Sequence, residues 1–176
     1  MLPRIRNATA ADIPAIAAIY AVEVADFVNT YEYEVPDATE MLRRMDDTLA
    51  RGYPYLAAEL EGEVVGYAYA GGFRSRAAYH WVVENSVYVA ATAQGRGVGA
   101  ALLQALIDAC IARGFRQMVA VIGEPGNTAS IRLHERFGFR HVGTLPGIAW
   151  KHDRWLDTVF MQRALGDGAG NTPSNE

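Results

Sequence analysis

The stretch from Ser86 to Ile122 constrains this chain more than any other. It opens with the apolar strand pattern "SVYVAA" and passes through a glycine-rich turn, "QGRGVG". It then runs as a helical pattern from Gly97 to Arg113, meets Gly114 as a stop, and ends in a second apolar strand, "MVAVI". Strand, crossover helix and strand of these lengths form a βαβ unit, which places the two strands parallel in one sheet. "MVAVI" is almost wholly apolar, as expected of a strand covered on both faces. The remaining elements must arrange themselves around this unit.

Upstream, "LPRIR" reads as a first strand. Thr9 or Asp12 caps a helix running to about Phe27, with Ile13, Ile16, Ala17 and Tyr20 on one face. Asp37 with Glu40 three residues on makes a capping box for a second helix ending near Arg51-Gly52. "YLAAEL" and "VVGYAYAG" are strands joined by a tight "EGE" turn, and "HWVVEN" leads into "SVYVAA". Downstream, Asn127 starts a helix to about Phe137, and "HVGTL" and "WLDTVFMQRAL" are the last strands. The order predicts a mixed α/β fold around one sheet, with no internal repeat. Residues 1–165 form one domain, and the small, polar tail 166–176, "GDGAGNTPSNE", is expected to be disordered. With 176 residues, 51% of them hydrophobic, a core can form without staples.

Charge and cysteine narrow the setting. A net charge of −4 gives no bulk electrostatic reason to bind nucleic acid or an anionic membrane, so neither is expected as a partner. No apolar run approaches the roughly 20 residues of a membrane span, and "MLPRIRNATAADIP" has no apolar core of a secretory signal. Cys110 is the one cysteine, so no internal disulfide is possible. A cytoplasmic location follows as the expectation.

The glycine turn has the physics of a phosphate site. Glycines let successive N–H groups turn inward, and a helix N-terminus adds partial positive charge. Inside a first helical turn, glycine costs about 0.5–1 kcal/mol against alanine, which close approach of a ligand would offset. A Walker A loop is excluded because the turn has no lysine. A dinucleotide fingerprint needs a carboxylate roughly 20 residues on, and that position falls in "QMVAV", which has none.

The segment "VENSVYVAATAQGRGVGAALLQALI" resembles the acetyl-CoA loop of the GNAT superfamily of N-acetyltransferases, whose pattern [QR]-x-x-G-x-[GA] is met by Gln94, Gly97 and Gly99. "GYAYAGGFRSRAAYHWVVENSVYV", "NTASIRLHERFGFRHVGTL" and "KHDRWLDTVFMQRAL" resemble the phosphinothricin and methionine sulfoximine acetyltransferase branch, so that the likeness spans about residues 2 to 165. It implies the GNAT fold: a mostly antiparallel sheet with one splayed parallel pair, acetyl-CoA in the opening between "SVYVAA" and "MVAVI", and a homodimer. The pantetheine arm would meet backbone groups of Val87, Tyr88 and Val89. The diphosphate would sit on Gly95, Arg96, Gly97, Val98, Gly99 and Ala100, with Gln94, Asn127 and Ser130 as further contacts.

Acetyl transfer to an amine needs a proton acceptor for the amine, donors for the developing oxyanion, and a proton for the departing thiolate. By the resemblance Glu84 is the candidate base. It stands just before an apolar stretch, where carboxylates are uncommon unless partnered or functional, and burial raises a carboxyl pKa. The same residue also fits a solvated strand end. N–H groups near Tyr88 and Val89 suit the oxyanion, particularly at a strand bulge. By the resemblance His134 is the candidate proton donor, although a histidine there also fits simple packing. Arg74 and Arg76, flanking Ser75, are shaped for an oxyacid group on the acceptor. Tyr31 and Glu32 match the branch's substrate-wall loop, and Glu32 fits either a hold on the substrate ammonium or a solvated position. Cys110, mid-helix among apolar neighbours, reads as an inert thiol, and the scattered histidines predict no metal. The chain departs from the branch pattern at Asn85, where histidine is usual, and at Asp153, where glycine is usual. These features predict an N-acetyltransferase acting on a small amino-acid-like amine by direct attack in a ternary complex. The alternatives are another acceptor (a protein N-terminus or an aminoglycoside), or an acyl-CoA-binding module without turnover.

Overall fold

The computed structural model describes residues 2–173. In chain order the elements are β1 (Arg4–Asn7), α1 (Ile13–Asp26), α2 (Ala38–Ala50), β2 (Tyr55–Leu60), β3 (Glu63–Gly72) and β4 (Val82–Val89). They are followed by α3 (Val98–Ala112), β5 (Gln117–Ile122), α4 (Thr128–Arg136), β6 (Arg140–Lys151) and β7 (Arg154–Ala164). The strands form one seven-stranded sheet in the order β1-β2-β3-β4-β5-β7-β6. Each neighbouring pair is antiparallel except β4 with β5, the parallel pair that the crossover helix α3 joins.

Strand alternation divides the core in two. In β2 and β3, Leu56, Ala58, Ala68 and Ala70 face α3, while Tyr55, Ala57 and Tyr67 face α1 and α2. The small side chains on the first face let α3 lie close, and Val98, Leu102, Leu106 and Cys110 recur every fourth residue along its buried stripe. On the second face Tyr67 packs against Tyr55, Tyr69 and Tyr88.

The helix starts follow local chemistry. Thr9 N–H donates to Asp12 Oδ2 at 2.8 Å, and Arg6 grips the same carboxylate at 2.7 and 2.8 Å. Asp37 caps α2 by accepting from the Glu40 N–H at 2.8 Å. The other half of the expected capping box is not made, because the Glu40 carboxylate is held by Arg43 and Arg44 at 2.7–2.9 Å.

Three segments differ from the sequence reading. β4 begins at Val82 rather than Ser86, because Glu84 and Asn85 interrupt the apolar pattern inside a strand. β6 continues past Leu145 to Lys151. It is an edge strand, so Pro146 costs no ladder bond there, and the pairing shifts between Leu145 and Ala149 to absorb the proline turn. Residues 166–169 form turns in which Gly168 N–H bonds Leu165 O, and Arg116 reaches Asn171 Oδ1 at 2.7 Å. Residues 174–176 of the tail lie outside the described residues. Among the described residues no helix is long and apolar enough to cross a membrane.

Candidate functional site

β4 and β5 pair through four residues only, Val82–Asn85 against Gln117–Ala120. Beyond that point β4 stays with β3 as far as Val89, and β5 stays with β7 as far as Ile122, so the two strands diverge. Ser86 to Val89 therefore keep one paired edge and present one open edge. The β3–β4 register runs unbroken along β4, so the bulge considered near Tyr88 and Val89 is not formed. Free backbone groups arise there instead from the lost β5 partner. A cavity of about 990 Å³ fills the opening. Its walls are the open end of β4, the end of β5, the first turn of α3, α4 and the α1–α2 loop.

The glycine turn forms the mouth of this cavity. Gly95 and Gly97 adopt φ of 73° and 81°, which L side chains avoid, and Gly97 is the N-cap of α3. A glycine N-cap offers no side-chain acceptor, so capping leaves the first-turn N–H groups free for a ligand. Gly99 has an ordinary helical φ. A Cβ added to it would rest 3.5 Å from Leu133 Cδ2 and 3.6 Å from Val89 Cγ2, which is normal contact. Nothing in the protein itself requires glycine at 99.

Glu84 and Asn85 stand where the strands part. Glu84 is half-buried and lines the cavity. Burial alone pushes its carboxyl above the ordinary carboxylate pKa, with no offsetting hydrogen bond or cation among the described residues. Asn85, only 6% exposed, donates from Nδ2 to His134 Nε2 at 2.9 Å. Its Oδ1 is buried with no partner among the described residues, although Asn85 lines the cavity. His134 Nδ1 lies 2.8 Å from the Ser130 carbonyl oxygen.

Residues 16–139 match the Acetyltransferase (GNAT) family. The chain is a member of the GNAT acetyltransferase family. It is 46% identical over 162 residues to a phosphinothricin N-acetyltransferase of Alcaligenes faecalis, covering 92% of this chain and 82% of that one. It is 42% identical over 166 residues to an L-methionine sulfoximine/L-methionine sulfone acetyltransferase of Pseudomonas aeruginosa, covering 94% and 96%. The crystal structure of a GNAT phosphinothricin acetyltransferase from Sinorhizobium meliloti in complex with AcCoA superposes with a TM-score of 0.96 at 46% identity. That match covers 99% of this chain and 94% of the other. This GNAT member is an acetyl-CoA-dependent N-acetyltransferase. Its cleft fits the donor, with unclaimed N–H groups for a diphosphate and an open strand edge for an amide-bearing arm.

The GNAT cleft gathers most of the residues singled out from sequence. Glu84, Val87, Tyr88, Val89, Gln94, Gly95, Gly97, Val98, Gly99, Ala100, Asn127, Ser130, His134 and Tyr31 all line it. Asn127 also caps α4, accepting from Ser130 N–H at 3.1 Å, and donates to Asn29 Oδ1 at 2.8 Å. Arg96 is elsewhere: it turns away to pair with Glu61 at 3.0 Å on the β2–β3 turn. Glu32 is not in the cavity either. Both its oxygens are taken by Arg44, at 2.6 and 3.0 Å, and Tyr20 Oη donates to it at 2.7 Å. Arg74, Ser75 and Arg76 are exposed on the loop after β3, with Arg74 lying over the rings of Phe73 and Tyr79. Cys110 is fully buried in α3, and desolvation pushes its thiol pKa up to about 12. Among the described residues no three His, Cys, Asp or Glu side chains gather as a metal site.

The sequence reading missed what holds the cavity's outer wall. Lys151, 3% exposed, donates from Nζ to the carbonyls of Phe27 and Thr30 at 2.7 and 2.8 Å, tying the α1–α2 loop to β6. Tyr31 Oη bonds Thr158 Oγ1 on β7. Gly123 admits the loop: a Cβ there would meet the Val28 carbonyl oxygen at 1.9 Å. Glu23, 7% exposed and lining the cavity, accepts from Asn29 Nδ2 at 2.6 Å, while burial raises its pKa. Glu23 was detectable, since it falls three residues after Tyr20 on the apolar face of α1. Lys151 carried no local signal, because its partners lie more than a hundred residues away.

Proposed function

We propose that this enzyme acetylates the free amine of a small amino-acid-like acceptor, such as phosphinothricin or methionine sulfoximine, by direct attack within a ternary complex. The supporting observation is Glu84: a half-buried, unpaired carboxylate facing the same cavity as the open β4 edge and the bare N-terminus of α3. Amines are mostly protonated at neutral pH and must lose a proton to attack. Glu84 takes that proton, directly or through water. The amine lone pair then attacks the thioester carbonyl, the nitrogen sheds its second proton to water, and the C–S bond breaks with its electron pair leaving on sulfur. Arg74 and Arg76 lie two and four residues past Gly72, and Gly71 is the β3 partner of Glu84. From there they grip the acceptor's oxyacid group. The relatives' named substrates, each an amino-acid analogue, support this acceptor class.

We place the enzyme in the cytoplasm as a homodimer. The β6–β7 hairpin leaves Val142, Leu145, Ile148, Trp150 and Trp155 exposed at 43–66%, an apolar surface that a second copy would cover. Sedimentation equilibrium tests this, and a monomer at micromolar concentration would refute it.

Thiol release against a panel of amino acids and their analogues tests the acceptor. Glu84→Gln is expected to lower kcat by about 10²–10⁴-fold with acetyl-CoA affinity nearly unchanged. Only the ionised carboxylate accepts a proton, and burial raises its pKa. Wild-type activity therefore climbs with pH through a value above the usual carboxylate range, and Glu84→Gln removes that limb. Retained rate in the variant across pH would rule out Glu84 as the base, and tight acetyl-CoA binding with no rate on any amine would mark a binding module. Arg76→Ala or Arg74→Ala should raise the acceptor KM about tenfold or more while leaving acetyl-CoA affinity intact.

A further inference from the structure

His134 is the residue type expected to protonate a departing thiolate, yet both of its ring nitrogens are already committed. Nδ1 sits 2.8 Å from the Ser130 carbonyl oxygen, which can only accept, so Nδ1 carries a hydrogen. Nε2 sits 2.9 Å from Asn85 Nδ2, an amide nitrogen that can only donate, so Nε2 supplies its lone pair. Turning the Asn85 amide over would put Oδ1 against Nε2 and demand a doubly protonated imidazolium. The ring is 4% exposed and stands edge-on to Phe139 at 4.9 Å. Burial lowers its pKa, so the charged ring is the costly state. The ring's contacts are Asn85 from β4, Ser130 from α4 and Phe139, none of which titrates. Of the charged groups around the same cavity, Glu84 projects from the opposite face of β4, Glu23 accepts from Asn29, Glu124 is paired with Arg154, and Arg136 is a cation that does not favour a second positive charge.

We propose that Asn85 is a positioning residue that holds His134 as the neutral Nδ1–H tautomer, so that His134 withholds a proton from the departing sulfur. The consequence rests on the acetyl-transfer reading above. The ammonium's first proton goes to Glu84, and the second, shed from nitrogen after attack, goes to water. The C–S electron pair leaves on sulfur, and coenzyme A departs as a thiolate that takes its proton from water. A thiol whose ordinary pKa is about 8.5 makes this departure accessible near neutral pH.

Long-range ¹H–¹⁵N correlation of ¹⁵N-histidine-labelled wild-type protein, with no acceptor present, reads the ring directly. The expected result is an unprotonated shift at Nε2 and a protonated shift at Nδ1 of His134 at the pH of turnover. A protonated Nε2 overturns the proposal. Asn85→Asp places a carboxylate against Nε2 and should bring a proton onto it. If Nε2 stays bare in that variant, Asn85 does not govern the tautomer and the proposal falls. In kinetics, His134→Gln should lose less than tenfold in kcat, against the 10²–10⁴-fold of a lost general acid, and its pH profile should run parallel to wild type above neutrality. A descending limb that is present in wild type and lost in His134→Gln would overturn the inference. The spectra stand whether or not any amine is acetylated, so a wrong tautomer and a wrong acceptor are separable failures.

Discussion

Gly99→Ala separates the two demands made on the head of α3, because it should move stability and binding in opposite directions. Gly99 has a helical φ, and the added methyl carbon would sit at 3.5 and 3.6 Å from Leu133 and Val89, in ordinary contact. The substitution therefore costs the free protein no strain. Alanine is favoured over glycine inside a helix by about 0.5–1 kcal/mol. At this chain length that raises Tm by roughly 1–4 °C. The same methyl group would lie between Val89 on β4 and Leu133 on α4, the two walls of the cleft. If the diphosphate arm of acetyl-CoA approaches the backbone there, one surplus carbon costs about 1–3 kcal/mol. That is a weakening of Kd of about 5- to 150-fold. Differential scanning calorimetry of the free protein and isothermal titration with acetyl-CoA measure the two effects side by side. A more stable protein that binds acetyl-CoA as tightly as wild type would refute the argument that glycine at this position serves the ligand.

Two further predictions concern the frame around the site. The Arg6 guanidinium holds the Asp12 carboxyl at a pKa of about 2. Its folded pKa lies below its unfolded value, so the pair contributes up to about 2 kcal/mol of stability above pH 5, lost as the pH falls through about 4 to 2. Urea unfolding across that range should show this loss in wild type and not in Asp12→Asn. Lys151→Met removes the donor to two loop carbonyls, at Phe27 and Thr30. It should cost about 2 kcal/mol or more in urea unfolding and make the α1–α2 loop the first point of limited proteolysis.

Most of the architecture was legible because it is written in short-range patterns: the apolar strand of β5, the fourfold stripe of α3, the Asp37 cap, and the glycines at the head of α3. The length of β6 was not legible, since only the pairing with β7 carries it past Pro146. The positions of Arg96 and Glu32 were not legible either. Each has an opposite charge waiting on another element, Glu61 for one and Arg44 for the other, and no local rule reveals a partner that distant.

The most informative failure of pattern lies in β4. The apolar reading starts that strand at Ser86, yet it starts at Val82, and the two residues that break the pattern are Glu84 and Asn85. A polar pair in the middle of a buried sheet is locally unfavourable, and chains tend to break such rules where function demands it. Here the break falls where β4 loses its β5 partner. One side chain faces the cavity as an unpaired carboxylate, and the other fixes a histidine on α4 while keeping one buried oxygen unclaimed. Strand divergence, exposed backbone edge and misplaced polar residues are thus one feature seen three ways. Removing the unpaired charge should show it: Glu84→Leu leaves the Asn85–His134 bond in place, and is expected to raise the unfolding midpoint in urea while abolishing turnover. If that variant were less stable than wild type, the carboxylate would be supporting the fold and not costing it.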